Sequence, residues 1–387
     1  MFMSEEDARG MLMHPIDAKV RSGLPRVISA IKSFRQHADG KRLQGEEMLL
    51  EEAMDMYKFL EGVLIQSELH THNAEHWHRL EMSACRFGMG MVFVFRKSYE
   101  SAETSILQAM GMLTRSQPRV TPPTEEQKEE EILLLHMASS LVKDVYLTVS
   151  ASSVVAESKW WLSKAWHLLS WCVTMAPHHD TPHAFVLGVI RFTVTDDTVL
   201  ETYDLLSSSA YLDRYKVLPD KVRDKLQHAL DLLSQVLVLL DKHALAVKMY
   251  KQLVDAIGSK RYIQGDDEQL GVFDPVRLGC VRSVLRYCDD GPELACANAA
   301  THLNAWLDFA FEQLKAISDT RSDNRMVCEL WGDVYRMRAD SSSMALALCL
   351  YAACYYTHGG GMNREMKTLS TKIKHVLENE QVHYIYS

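Results

Sequence analysis

Residues 89–109 read MGMVFVFRKSYESAETSILQA, and the spacing within this stretch decides the fold. Gly90 precedes Ala102 by twelve positions, and Ile106 and Ala109 follow Ala102 at intervals of four and seven. Residues at these intervals lie on one face of an α-helix. Because small residues on that face let two helices approach closely, the stretch predicts two antiparallel helices packed as a hairpin.

Helical periodicity extends over most of the chain. Residues 46–69 (EEMLLEEAMDMYKFLEGVLIQSEL) place apolar side chains at a period of 3.6 between repeated acids, and 132–155 and 223–240 do the same. The one strand-like run, at 190–194, fits the end of a helix better. We therefore predict an all-α fold of antiparallel helical hairpins stacked as an α-solenoid.

Prolines mark a boundary in the first half of the chain. The segment 116–124 (SQPRVTPPT) contains three prolines and cannot be helical, and the acidic run 125–131 then starts the next helix. We predict an N-terminal helical region at 1–115, a Pro-rich and acidic linker at 116–131, and a C-terminal array of hairpins at 132–387.

Composition narrows the class of protein. The chain has 387 residues, 47% of them hydrophobic, which suffices for one large helical array or two ordinary domains. A net charge of -9 argues against a general nucleic-acid binder. Eight cysteines without a Cys-x-x-Cys pair indicate a reducing compartment, and the N-terminus lacks a signal-like apolar run. We expect a cytoplasmic protein without membrane insertion and without a cofactor.

One short segment runs against the acidic balance. Between Lys19 and Arg42 the chain carries seven basic residues, and the helix expected at 25–37 is amphipathic. A solvated polar face is the default interpretation of this pattern, and contact with an acidic partner or RNA is the alternative.

The spacing of small residues resembles the tetratricopeptide-repeat family. Its pattern has a small residue, an aromatic residue and three small or apolar residues, and four segments are similar to it: the first fits well, the second matches only the second half, and the third fits loosely. They are Gly90, Phe93, Ala102, Ile106 and Ala109; Ala165, Leu169 and Cys172; Ser234, Leu237, Ala246, Tyr250 and Leu253; and, after a one-residue slip, Gly332, Tyr335, Ala345, Cys349 and Ala352. The resemblance implies stacked helix pairs with a concave binding surface. A generic array of helical hairpins is the alternative.

Residues 274–340 also resemble the last helices of a 14-3-3 protein. Residues 275–279 (PVRLG) and 292–296 (PELAC) match two helix starts of that family, and Leu330 and Asp333 match its closing helix. The resemblance implies a phosphopeptide groove, in which Arg277 and Leu330 are candidate ligand-binding residues.

Four positions depart from the 14-3-3 pattern. Ser283 and Val334 replace two asparagines, and Leu233-Ser234 replaces an Arg-Tyr pair. Phosphate is held by charge-assisted hydrogen bonds from such donors. The departures therefore indicate a degenerate member in which phosphopeptide binding is in doubt.

The sharpest cluster of candidate metal ligands lies at residues 70–78. His72-Asn73-Ala74-Glu75-His76 is a His-x-x-Glu-His motif, in which two histidines one helical turn apart can share a zinc ion while Glu75 activates water. A zinc-dependent hydrolase is thus one alternative function. The chain offers no strands for the mixed scaffold that this motif normally uses, so solvated histidines at a helix junction are the competing interpretation.

Four tryptophans occur within residues 160–171. Trp160 and Trp171 fall near one face of the expected helix, where they can either fill the core or anchor a partner peptide. We predict a non-enzymatic adaptor or complex subunit that binds a peptide or helix in a concave helical groove, with Trp160 and Trp171 as further candidate contacts. A degenerate phosphopeptide reader and a zinc hydrolase remain alternatives.

Overall fold

The computed structural model describes residues 3–15, 23–66, 75–113, 125–175, 194–251, 267–289, 299–318, 325–338, 341–356 and 369–378. All regular secondary structure in these ranges is helical, which confirms the all-α prediction. The chain divides into two compact units, Met1–Val236 and Leu237–Ser387.

The described part of the first unit is built from helices. In chain order they are α1 (Glu5–Leu12), α2 (Leu24–Gln44), α3 (Glu47–Gln66), α4 (Glu75–Phe95), α5 (Tyr99–Leu113), α6 (Glu125–Ser140), a π-helical segment (Leu141–Leu147), α7 (Thr148–Ser152), α8 (Val155–Met175), α9 (Asp196–Ser207), α10 (Ser209–Val217) and α11 (Asp220–Leu239). Neighbours in sequence pack as pairs, notably α2 with α3 and α4 with α5.

Local sequence explains several helix ends. The Ser4 side chain accepts a hydrogen bond from the Asp7 backbone N–H at the start of α1, and three acids follow in the first turn. Gly45 ends α2 with a φ of 73°, a left-handed conformation that glycine adopts without strain. Thr195 and Thr198 form a reciprocal capping box at the start of α9.

The hairpin of α4 and α5 is as close as its spacing predicts. A Cβ atom on Gly90 would lie 2.6 Å from Ile106 Cγ1 and 3.4 Å from the Ala102 carbonyl oxygen. Ala102, Ile106 and Ala109 are fully buried. The glycine therefore lets the two helices meet at this crossing, where a larger residue would hold them apart.

The second unit contains α12 (243–251), α13 (Asp267–Asp289), α14 (Ala299–Ser318), α15 (Arg325–Arg338), α16 (Ser341–Tyr356) and α17 (369–378). Its core is formed by one apolar cluster on α12 to α15 and a smaller one on α16 and α17. Gly332 on α15 faces the ring of Tyr351 on α16, and a Cβ atom there would lie 2.5 Å from Tyr351 Cε1. The second unit thus repeats the close glycine crossing of the first.

The π-helical segment interrupts an otherwise continuous helix between residues 125 and 152. Within the described ranges, the segment Gln127–Ser152 is the only helix that is long and apolar enough to cross a membrane by length and composition. The core helices of many proteins that enter no membrane pass the same test, and 44% of its apolar window is buried inside the protein.

The predicted linker at 116–131 lies inside the first unit. Residues 116–124 are outside the described ranges, whereas 125–131 are the first turns of α6, where Glu130 and Glu131 are buried. The boundary between the two compact units falls within the last turns of α11, after Val236.

Candidate functional site

A cleft of about 440 Å³ opens between four helices of the first unit. Its walls come from α2, α4, α6 and α11, and a volume of this size is typical of ligand sites. The lining residues are Lys32, Arg35, Gln36, Leu80, Glu81, Ala84, Glu129, Ile132, Leu133, His136 and Lys225.

Four apolar side chains of the lining form what we call the base of the cleft. Leu80 and Ala84 lie one turn apart on α4, and Ile132 and Leu133 lie side by side on α6. All four side chains are partly exposed. They therefore offer apolar surface that a ligand can remove from water, at about 25 cal/mol for each Å² that is covered.

An ion-pair network holds the α2 wall against α4. Arg35 Nε donates to Glu81 Oε2 at 2.7 Å and its NH1 donates to Asp39 Oδ2 at 3.0 Å, while Glu81 is only 2% exposed. Burial alone would lower the pKa of Arg35, but the two carboxylates raise it above its usual value. The charge of Arg35 is thus neutralised within the wall.

Two contacts show that α4 and α6 run in the same direction. Near the start of both helices, Arg79 NH2 lies 3.2 Å from Glu130 Oε1, and about two turns later the rings of Phe87 and His136 meet edge to face at 5.3 Å. Glu129 therefore lies at the Leu80 end of the cleft, and His136 lies at the opposite end.

Basic side chains act electrostatically on His136. Burial lowers the pKa of His136, and the positive charges of Lys225 and Arg42, together with His228, lower it further. Arg42 is itself paired with Asp39, at 3.4 Å. Lys225 forms no ion pair with the described residues, so its charge is available to a ligand.

Lys32 and Glu129 are the remaining charged groups at the rim. Both side chains are exposed, and neither forms an ion pair with the described residues. They bring one charge of each sign to the cleft.

None of the four residues predicted to bind a ligand is in the lining of this cleft. Trp160 is 50% exposed on α8, but Trp171 on the same helix is 5% exposed. In the second unit, Arg277 is buried and donates to Gln313, and Leu330 is part of the apolar core. Of the four side chains, only Trp160 presents a large surface to solvent.

Trp160 belongs to a cluster around a buried cation. Lys164 Nζ lies 4.0 Å from the centroid of the Trp160 ring and 4.6 Å from that of Trp161, and it donates to Glu103 at 2.8 Å. Tyr146, on the π-helical segment, donates to the same carboxylate at 2.7 Å. Cation–π attraction therefore fixes one face of Trp160 internally and leaves the other face outward.

The positions that depart from the 14-3-3 pattern are buried. Leu233, Ser234, Ser283 and Val334 are each at most 1% exposed. The Ser234 hydroxyl donates to the Leu230 carbonyl and the Ser283 hydroxyl to the Gly279 carbonyl. These side chains are therefore not placed to contact a phosphate group in solution.

The predicted zinc ligands are outside what the structure describes. His72 falls in the undescribed segment 67–74, and His76 lies on α4 with a side chain that is likewise outside the description. Among the described side chains, no group of three or more His, Cys, Asp or Glu residues is arranged to hold a metal ion. The zinc hypothesis thus stays a prediction.

Sequence reasoning identified one wall of the cleft and missed the others. The basic segment around α2 contains Lys32 and Arg35, but nothing singled out Ile132, His136 or Lys225. These residues come together only because α6 and α11 pack beside α2 and α4. A partial signal existed in the mixture of apolar residues and acids at the start of α6.

A comparison with protein-family models finds no family that matches this chain, and a comparison with curated proteins finds no matching relative.

Proposed function

We propose that this chain is a non-enzymatic adaptor or complex subunit whose first unit binds a peptide or a helix of a partner protein. The observation that carries the proposal is the cleft between α2, α4, α6 and α11, with its apolar base and charged rim. Interfaces of this kind bury an apolar anchor at the centre and place polar groups around it.

The rigidity of the walls supports the proposal. Arg35 joins α2 to Glu81 on α4, and Arg79 joins α4 to Glu130 on α6. Helices that are held together before a ligand arrives lose little further freedom on binding, so more of the contact energy appears as affinity. In the finer form of the proposal, successive hairpins stack as a solenoid and the cleft is part of its concave surface.

Peptide selection on the intact chain tests this function. Peptides enriched on the immobilised protein are synthesised, and their affinities are measured by calorimetry for the wild type and for Gln36→Trp, which adds bulk at the mouth of the cleft. Ile132→Asp, which makes the base polar, is a second variant, and Leu200→Asp on α9 is the matched control at an exposed leucine.

We expect both cleft variants to weaken binding at least tenfold, or about 1.4 kcal/mol, and the control to bind as the wild type does. Circular dichroism checks that each variant is folded. The proposal is wrong if no peptide is enriched, or if enriched peptides bind the folded Gln36→Trp variant unchanged.

Two additional measurements on the same preparation address the alternatives. One zinc ion per chain, lost in His72→Ala and His76→Ala, would replace the adaptor by a metal-dependent enzyme. Preference for phosphorylated over unphosphorylated forms of the selected peptides, lost in a charge variant of the second unit, would instead support a phosphopeptide reader.

A further inference from the structure

We propose that the cleft selects an acidic peptide segment with one apolar anchor, and that the carboxylates of the segment lie beside Lys225. This inference rests on the proposed function and adds the chemistry of the partner. The charged groups at the rim of the cleft support this chemistry.

The cleft has more basic than acidic groups free to meet a ligand. Glu81 and Asp39 already neutralise Arg35, with contacts of 2.7 Å and 3.0 Å. Lys32, Lys225 and Glu129 form no ion pair with the described residues, so two cations and one anion remain at the rim. A ligand with net negative charge is therefore favoured at close range, although the whole chain is acidic.

The distribution of these charges sets the position of the ligand. Glu129 lies at the Leu80 end, where it would repel a carboxylate. Lys225 lines the same cleft as His136 and is close enough for its charge to act on that ring. The acidic residues of the ligand therefore belong beside Lys225, and a neutral or basic residue suits the Glu129 end.

The apolar base determines what the ligand must contain besides its acidic residues. Leu80, Ala84, Ile132 and Leu133 line the cleft together with these charged groups. A leucine or phenylalanine side chain covers such a surface with few rotatable bonds. Carboxylates beside this anchor can reach Lys225 while the anchor is buried, so one short segment satisfies both features.

Fluorescence anisotropy with designed peptides tests the proposal on the intact protein. The probes are labelled 12-residue peptides with a central leucine or phenylalanine, flanked on one side by Asp and Glu, by Asn and Gln, or by Lys and Arg. Affinities are measured for the wild type, Lys225→Glu and Lys32→Glu. The control is Lys58→Glu, which makes the same charge change at an exposed lysine on α3 that does not line the cleft.

We expect the acidic peptides to bind the wild type at least tenfold more tightly than the amide peptides, and the basic peptides most weakly. Lys225→Glu should remove this preference and should favour the basic peptides, while Lys58→Glu should leave the order unchanged. Such a reversal requires a folded cleft, so it cannot arise from unfolding. Lys32→Glu should have a smaller effect, because the carboxylates of the ligand are placed beside Lys225.

The outcomes separate the two proposals. Equal affinity for acidic and amide peptides, with both lost in Gln36→Trp, overturns the acidic preference and leaves the peptide-binding function standing. Retention of the acidic preference in Lys225→Glu overturns the placement of the carboxylates. If no designed or selected peptide binds, while the small amphiphile decanoate binds and is lost in Gln36→Trp, the cleft is a small-molecule site and both proposals fail.

Discussion

Two hairpins, one in each unit, have a glycine where their helices cross, but the contacts that stabilise the two crossings differ. In α4 and α5, Gly90 meets the aliphatic side chain of Ile106, among fully buried alanines. In α15 and α16, Gly332 meets the ring of Tyr351, whose hydroxyl donates to Asp333 at 2.5 Å. The first contact is wholly apolar, whereas the second is part of a polar network.

The network around Tyr351 extends to a third helix. Lys372 on α17 donates to Asp333 at 2.7 Å and to Glu329 at 2.8 Å. Burial raises the pKa of Tyr351, and the neighbouring Asp333 raises it further, so the phenol stays protonated as a donor. In both crossings the glycine permits the two helices to approach closely. The residue that faces the glycine determines how rigid and how specific the crossing is.

The largest effect is expected for Gly332→Ala. The new methyl group would meet three ring atoms of Tyr351, within 2.5 to 3.1 Å, and the hydrogen bond to Asp333 holds that ring in place. We expect a loss of about 2–3 kcal/mol in the stability of the second unit, even after the gain in helix propensity. Hydrogen exchange of α15 and α16 measures it, and Gly62→Ala, where the methyl group meets nothing within 4 Å, is the control.

A smaller loss is expected for Gly90→Ala. Ile106 Cγ1 is the only atom closer than 3.4 Å to the new methyl group, and a flexible aliphatic chain can move aside more easily than a tethered ring. We expect about 1 kcal/mol, measured by urea denaturation of the wild type and the variant. In an Ile106→Ala background the same substitution should cost less, and additive effects of the two changes would contradict the contact.

Tyr351→Phe tests how much the hydrogen bond of the Tyr351 hydroxyl stabilises the crossing of α15 and α16. The change keeps the ring against Gly332 and removes only the hydrogen bond to Asp333, so we expect a loss of about 1 kcal/mol. Because Lys372 still pairs with Asp333, the carboxylate is not left alone. Adding Gly332→Ala to this variant should cost less than it does in the wild type, because the ring is freer to move. An unchanged cost would show that the tether does not stiffen the crossing.

The smallest effect is expected for the dependence of the stability of the first unit on pH. The pKa values of His136 and His228 are lowered, chiefly by burial, so the folded state binds protons less readily than the unfolded state. The stability that the two neutral histidines contribute is present above the pKa of histidine in the unfolded chain, about 6.5, and is lost as pH falls below that value. Urea denaturation between pH 7 and 5.5 should show this decrease, and His136→Gln with His228→Gln should reduce it. An identical slope in the double variant would contradict the assignment.

Much of the fold could be predicted because its determinants are local. The Gly90, Ala102 and Ile106 spacing predicted a close hairpin, and the prolines and acids before residue 132 predicted the start of a helix within 125–131. The π-helical segment at 141–147 was not predicted, because apolar periodicity does not distinguish it from an ordinary helix. Trp171 is buried and Trp160 is exposed although both lie on α8, and this difference also depends on which other helices pack against α8.

The sequence by itself determined that the chain is helical, where close crossings occur and that α2 is basic, because periodicity, glycine and charge act over a few turns of one helix. Only the tertiary structure decided that Arg35 is neutralised by Glu81, that Lys225 lies near His136, and that four helices enclose a cleft. These pairs are separated by 46 and 89 positions in the sequence, and no local interaction relates them. Packing of the apolar helix faces brings them together, and the candidate site is a consequence of that packing.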